Sequence, residues 1–193
     1  MCAMKKFTLL ALLACSLYAH PHVFVDAGLT VHTTQTGVES IGVSWTMDEM
    51  TSQLFLMDFD ANGNGAFEPD EVAALTQESF NHLSDYGYFL RLFTDGREIP
   101  ISVKAAGFMP TIENHRLVYR FELPQKIPLP LGAKMTIQVA DEEGYMAMTL
   151  NQKDIRFKGA LPPDFSVRRV DQEFYYAWVL DFTQNQGQKV AAR

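Results

Sequence analysis

Twelve consecutive residues constrain this chain more than any others: Asp60-Ala61-Asn62-Gly63-Asn64-Gly65-Ala66-Phe67-Glu68-Pro69-Asp70-Glu71. Calcium takes about six to eight oxygens in flexible geometry, so EF-hand-type loops put oxygens at alternate positions and a residue without Cβ at the sharp turn. Asp60, Asn62 and Asn64 fill the first alternate positions and Gly65 fills the turn. Ala66 offers its carbonyl, Glu68 a direct or water-mediated oxygen, and Glu71 both oxygens of a carboxylate. Such a loop needs a helix on each side. On one side Met50, Leu54 and Met57 share a helical face; on the other, Val72, Leu75, Phe80 and Leu83 form a second, with Pro69 acceptable in its first turn. The plainer alternative is a polar Asn-Gly turn between two helices. Asn at two positions leaves Asp60, Glu68 and Glu71 as the charged donors, so the expected affinity is weak, about 10⁻⁴ M or poorer. With a single loop, a structural calcium is expected rather than a sensor that opens a helix pair.

Around this insertion the period is that of strands. His22 to Thr34 alternates, with Val23, Val25, Ala27, Leu29 and Val31 on one side. Gln35-Thr36-Gly37 turns the chain and Val38 to Trp45 returns it. Tyr88–Thr94 and Ile99–Ala105 flank the turn Asp95-Gly96. Leu117–Leu123 and Met135–Ala140 flank a stiff Pro124–Gly132 loop, and Tyr145–Leu150 follows an acidic turn. The pattern predicts a mainly β (α+β) fold, an antiparallel β-sandwich with an EF-hand-like helix–loop–helix inserted at about residues 47–85. The aromatic stretch Phe174–Phe182 is expected to dock on the body or to contact a partner.

The first nineteen residues have the layout of an export signal: Lys5 and Lys6, an apolar run from Phe7 to Leu17, and the small residue Ala19 for cleavage. The run is too short to span a bilayer. Residues 20–193 are therefore expected to form a single periplasmic domain with no integral membrane segment. Leu12-Leu13-Ala14-Cys15 resembles a lipid-attachment sequence, which makes a lipoprotein anchored at Cys15 the minor alternative. Both cysteines, Cys2 and Cys15, fall inside the signal, so no disulfide is expected. Loss of Lys5 and Lys6 moves the formal charge from −7 to −9, which argues against nucleic acid and leaves metal ions as plausible partners.

Cleavage after Ala19 creates a terminus reading His20-Pro21-His22. Two imidazoles two residues apart in extended chain lie on one side, and the α-amine of a terminal histidine is a further donor. Such donors suit zinc, nickel, cobalt or copper rather than calcium. A frayed terminus with solvated histidines is the plain alternative. A third ligand would come from His32, His82 or His115. No nucleophile elbow, zinc-protease helix motif, phosphate loop or cysteine nucleophile occurs in the sequence, so an enzyme is not expected.

Three stretches together resemble a domain-of-unknown-function family of bacterial periplasmic proteins: Ala19 to Asp26, Trp45-Thr46-Met47-Asp48-Glu49, and Asp60 to Glu71. The likeness runs to about Leu150. It implies a periplasmic partner of an inner-membrane permease for nickel, cobalt, zinc or a related divalent metal. The expected function is thus a metal-binding accessory of a transition-metal transport system. The other reading is a calcium-stabilised structural or interaction module with no transport role.

Overall fold

The computed structural model describes residues 21–159 and 164–184. The expected signal, including Cys15, and His20 lie outside these residues. Strands dominate, as the period-two patterns predict. β1 (Val23–Thr34) and β2 (Gly37–Met47) form the expected hairpin, with Val25, Ala27, Leu29 and Val31 buried along β1. The remaining strands are β3 (Leu90–Thr94), β4 (Arg97–Ile99), β5 (Ala106–Glu113), β6 (Arg116–Leu123), β7 (Ile127–Pro128), β8 (Lys134–Val139), β9 (Met146–Gly159), β10 (Phe165–Asp171) and β11 (Tyr176–Thr183).

They build two sheets. The first has the order β5-β6-β2-β1-β9 with β7 paired to β2, and the second runs β10-β11-β8-β3-β4. One apolar cluster is shared by both, with Leu29, Trp45 and Leu123 from the first sheet and Leu92, Ile137 and Leu180 from the second, each nearly inaccessible to water. The Pro124–Gly132 loop joins β6 in the first sheet to β8 in the second. The aromatic C-terminal stretch docks on this core through β11, which lies between β10 and β8: Leu180 and Phe182 join the cluster and Ala177 and Val179 are buried, while Phe174 stays exposed.

Three expectations need correction. The pairing is not wholly antiparallel, because β1 runs parallel to β9 from Val23↔Met146 to Thr33↔Gly159. The strand read at Ile99–Ala105 forms only at its start, in β4; the chain from Ala106 to Glu113 is β5, whose half-exposed positions hide the alternation. The second helical segment is broken. α2 (Pro69–Glu78) stops at Ser79, and Phe80–Phe89 continues as a 3₁₀ stretch in which Gly87 and Tyr88 take positive φ. The first segment, α1 (Glu49–Phe59), lies where its period put it, between β2 and α2. Among the described residues no helix is long and apolar enough to cross a membrane.

Candidate functional site

The sequence period leaves open which side of α1 faces inward. The face carrying Met50, Leu54 and Met57 points to solvent, at 64%, 54% and 80% exposed, whereas Thr51 and Ser52 are buried. Polar contacts therefore fix the helix start. The Asp48 carboxylate caps α1 by accepting from Thr51 N–H (2.9 Å) and from the Thr51 hydroxyl (2.8 Å), and it also accepts from Phe24 N–H at the start of β1 (2.9 Å). The Ser52 hydroxyl donates to the Asp48 carbonyl (2.6 Å) and accepts from Leu117 N–H on β6 (2.8 Å). Apolar packing is left to Phe55 and Phe59, which touch the core in part. The signal for this arrangement was an Asp standing just before the first helical residue, a common N-cap.

Burial disfavours the charge on Asp48, but the hydrogen bonds from Phe24 and Thr51 outweigh it and hold the carboxyl below its ordinary value. A depressed folded-state pKa contributes stability that is present above the unfolded value, near 4, and is lost as pH falls through the lower folded value. Urea unfolding measured from about pH 5 downward is expected to show a steeper loss of stability for the native chain than for Asp48→Asn. Parallel profiles would exclude this role for Asp48.

The loop after α1 is organised around three carboxylates, those of Asp60, Glu68 and Glu71. Asp60 accepts from three backbone N–H groups, Gly63 (2.8 Å) and Asn64 (3.1 Å) on Oδ1 and Gly65 (2.7 Å) on Oδ2. Gly65 takes φ +79°, the left-handed conformation for which a residue without Cβ was expected there. The side-chain oxygens of Asn62 and Asn64 accept from the N–H groups of Asn64 (3.0 Å) and Ala66 (2.9 Å). Glu68 receives the amide groups of both Asn62 and Asn64. Glu71, only 6% exposed, closes the loop on α2 by accepting from Ala61 N–H (2.8 Å) and Glu68 N–H (2.9 Å). Phe67 packs against the core and ties the loop to the body.

Asp60, Asn62, Asn64, Glu68 and Glu71 are thus linked by hydrogen bonds within one loop. Among the described residues, however, no three His, Cys, Asp or Glu side chains converge closely enough to hold a metal ion. A hard cation here would also need the amide oxygens of Asn62 and Asn64 and the Ala66 carbonyl, and it would have to draw Glu71 from its backbone partners. Oxygen donors of this kind match calcium chemistry.

Of the amino-terminal pair, only His22 is described. Its N–H donates to the Tyr145 carbonyl (2.8 Å), its ring stands 5.3 Å from the Tyr145 ring, and the side chain is exposed. Asp26 faces Arg116 instead, at 3.0 Å. His32 lies ten residues further on, within β1 and about 33 Å away at strand rise, and approaches Glu122 at 3.7 Å. It cannot share an ion with His22. His82, on the 3₁₀ stretch, and His115, in the β5–β6 turn, are both exposed.

His22 also lines something the sequence did not disclose, a cavity of about 770 Å³ between α1, the 3₁₀ stretch and the entry ends of β1 and β9. Trp45 and Tyr119 form part of its wall. Burial pushes the Tyr119 hydroxyl pKa up, against a smaller opposing effect of the nearby Ser79 side chain, so this group stays protonated. The signal was the outward apolar face of α1, which the sequence alone could not orient.

Residues 6–173 match the profile of the family described as "Protein of unknown function (DUF1007)". A Spirochaeta aurantia protein, an uncharacterized 15.5 kDa protein in the trpE 3' region, is 32% identical over 99 residues, which is 50% of this chain and 69% of its own length. An uncharacterized protein of Haemophilus influenzae is 26% identical over 154 residues, 78% of this chain and 73% of its own length.

Proposed function

We propose that this chain, which belongs to the DUF1007 family of proteins of unknown function, is an exported periplasmic metal-binding accessory of a zinc, nickel or cobalt transport system, stabilised by one calcium ion in the Asp60–Glu71 loop. In this reading the two sheets act as a β-sandwich and α1, the loop and α2 as an EF-hand-like helix–loop–helix. The observation that carries it is the loop. The oxygen-bearing side chains of Asp60, Asn62, Asn64 and Glu68, the left-handed Gly65 and the closing Glu71 at the head of α2 make up an oxygen-rich turn flanked by helices. His20 and His22 are the transition-metal ligands. His22 supports this assignment by standing exposed at the start of β1, held through its backbone while its ring stays accessible. Two borderline donors on a terminus capture an ion and release it, as delivery to a permease requires, whereas a closed four-ligand cage retains it.

The test is calorimetric titration of the chain beginning at His20 with zinc, nickel, cobalt and copper, beside His20→Ala, His22→Ala and a form with one residue added before His20. Native binding weakened by either alanine, and falling on acidification because the ligands must be deprotonated, is the expected result. Equal binding by all four proteins would remove the terminus as the site. The second reading, a calcium-stabilised interaction module, keeps little of the docking face expected of Phe174–Phe182, since Ala177, Val179, Leu180 and Phe182 are buried and Phe174 alone of the stretch is strongly exposed. It gains another in the cavity beside α1.

A further inference from the structure

We infer that the cavity between α1, the 3₁₀ stretch and the entry ends of β1 and β9 is a groove for a cationic amphipathic segment of a partner protein. The inference goes beyond the metal reading and stands with or without it. A helix on a globular body normally turns its apolar face to the core. α1 turns Phe55 and Phe59 to the core but, its start held by Asp48 and Ser52, it also carries a second apolar face that presents Met50 and Leu54 to the groove. Tyr86 and Tyr145, at 53% and 56% exposed, also line it. Clustered exposed apolar side chains of this kind mark an interaction surface. Unbranched, polarizable Met side chains adapt to whatever apolar side chains enter.

A further observation defines the occupant: the charge is one-sided. Among the described residues the titratable lining consists of Asp58, Asp141, Glu143, His22, Tyr86, Tyr119 and Tyr145, with no Lys or Arg. The Asp141 carboxylate is engaged by Glu143 N–H and Met146 N–H, but Asp58 and Glu143 form no ion pair among the described residues. Past Tyr86 and Phe89 the acidic edge continues through Asp85 and Glu142. Arg91, the one cation there among the described residues, is held by Glu98 at 2.7 Å and Glu142 at 2.9 Å. Apolar side chains that fill the groove, followed by Lys or Arg at its rim, complement this surface, in the manner of a helix laid in a groove.

The experiment uses the chain beginning at His20, with calcium present and transition metals absent. A synthetic amphipathic helix of Leu and Lys is titrated against it by tryptophan fluorescence, beside the same peptide with Glu for Lys. Saturable binding of the Lys peptide is expected, weakened about tenfold or more by Leu54→Asn, by Met50→Gln and by the double change Asp58→Lys with Glu143→Lys. All four positions are solvent-facing, and unchanged urea midpoints verify the fold of each variant. Equal binding of the Glu peptide, or binding indifferent to both Leu54→Asn and Met50→Gln, overturns the inference. A concentration-dependent dimer abolished by Leu54→Asn would assign the groove to a second copy and overturn it as well.

Discussion

Glu71→Gln is expected to weaken calcium binding about a hundredfold and to destabilise the loop even without calcium. The carboxylate does two things. Its two oxygens accept the N–H groups of Ala61 and Glu68, joining the start of the loop to the start of α2 in a site only 6% exposed. It is also the loop's expected bidentate ligand. Glutamine has one oxygen and one amide group, so one of the two N–H donors would face another donor. An unsatisfied buried donor costs about 1–3 kcal/mol, and losing a charge-assisted ligand costs about 2–3 kcal/mol, a hundredfold in affinity at the upper end. Urea unfolding with chelator and with excess calcium separates the two effects. Calcium at about a hundredfold above its dissociation constant adds about 2.7 kcal/mol to the native protein and is expected to add little to the variant. If native and variant unfold alike in chelator, Glu71 is not a structural clasp. If calcium leaves the native midpoint unmoved even at millimolar concentration, the calcium assignment fails.

Gly37→Ala is expected to cost about 3 kcal/mol or more, against roughly 1 kcal/mol for Gly63→Ala. Both glycines have positive φ, +154° and +70°. They differ in what a Cβ would meet. At Gly63 there is nothing within 4 Å. At Gly37 the methyl would lie far inside van der Waals contact with the Ile127 carbonyl oxygen and 2.9 Å from Leu129 N, both backbone atoms that cannot rotate aside. Gly37 pairs with Pro128, and Leu129 N–H donates to the Thr36 carbonyl at 2.9 Å, so relief requires peeling β7 from β2. For a chain of this length about 3 kcal/mol corresponds to a fall in Tm of about 6–12 °C, readable by calorimetry. Equal midpoints for the two variants would show that the β2–β7 contact yields freely.

Much of this was legible because local rules acted alone. The alternation of Val25, Ala27, Leu29 and Val31 names a buried face whatever the strand pairs with. The glycine at position 65 follows from turn geometry. Where two interactions compete, the sequence is silent. Met50, Leu54 and Met57 define a stripe, but whether the stripe turns inward depends on Asp48 and Ser52 finding Phe24 and Leu117, residues distant in the chain. β5 was hidden because one of its faces meets water and the other is only partly covered. The Phe174–Phe182 stretch showed its apolar character but not its neighbours β8 and β10. For the candidate site, the loop and its turn glycine were readable from spacing, whereas the groove needs α1, the 3₁₀ stretch, β1 and β9 to meet.

The parallel pairing of β1 with β9 also bears on when the fold can complete. Val23 meets Met146 and Thr33 meets Gly159, so one edge of the first strand stays open until a partner more than a hundred residues later has appeared. Pairings of such long sequence separation carry a large loop-closure cost and fold slowly, on a millisecond-to-second scale. A chain threading through a narrow passage one end first would therefore emerge with β1 capped only by β2, unable to lock before nearly all of it had crossed. Until β9 pairs with it, that side of β1 is an open strand edge, the kind of surface through which unfinished chains associate wrongly.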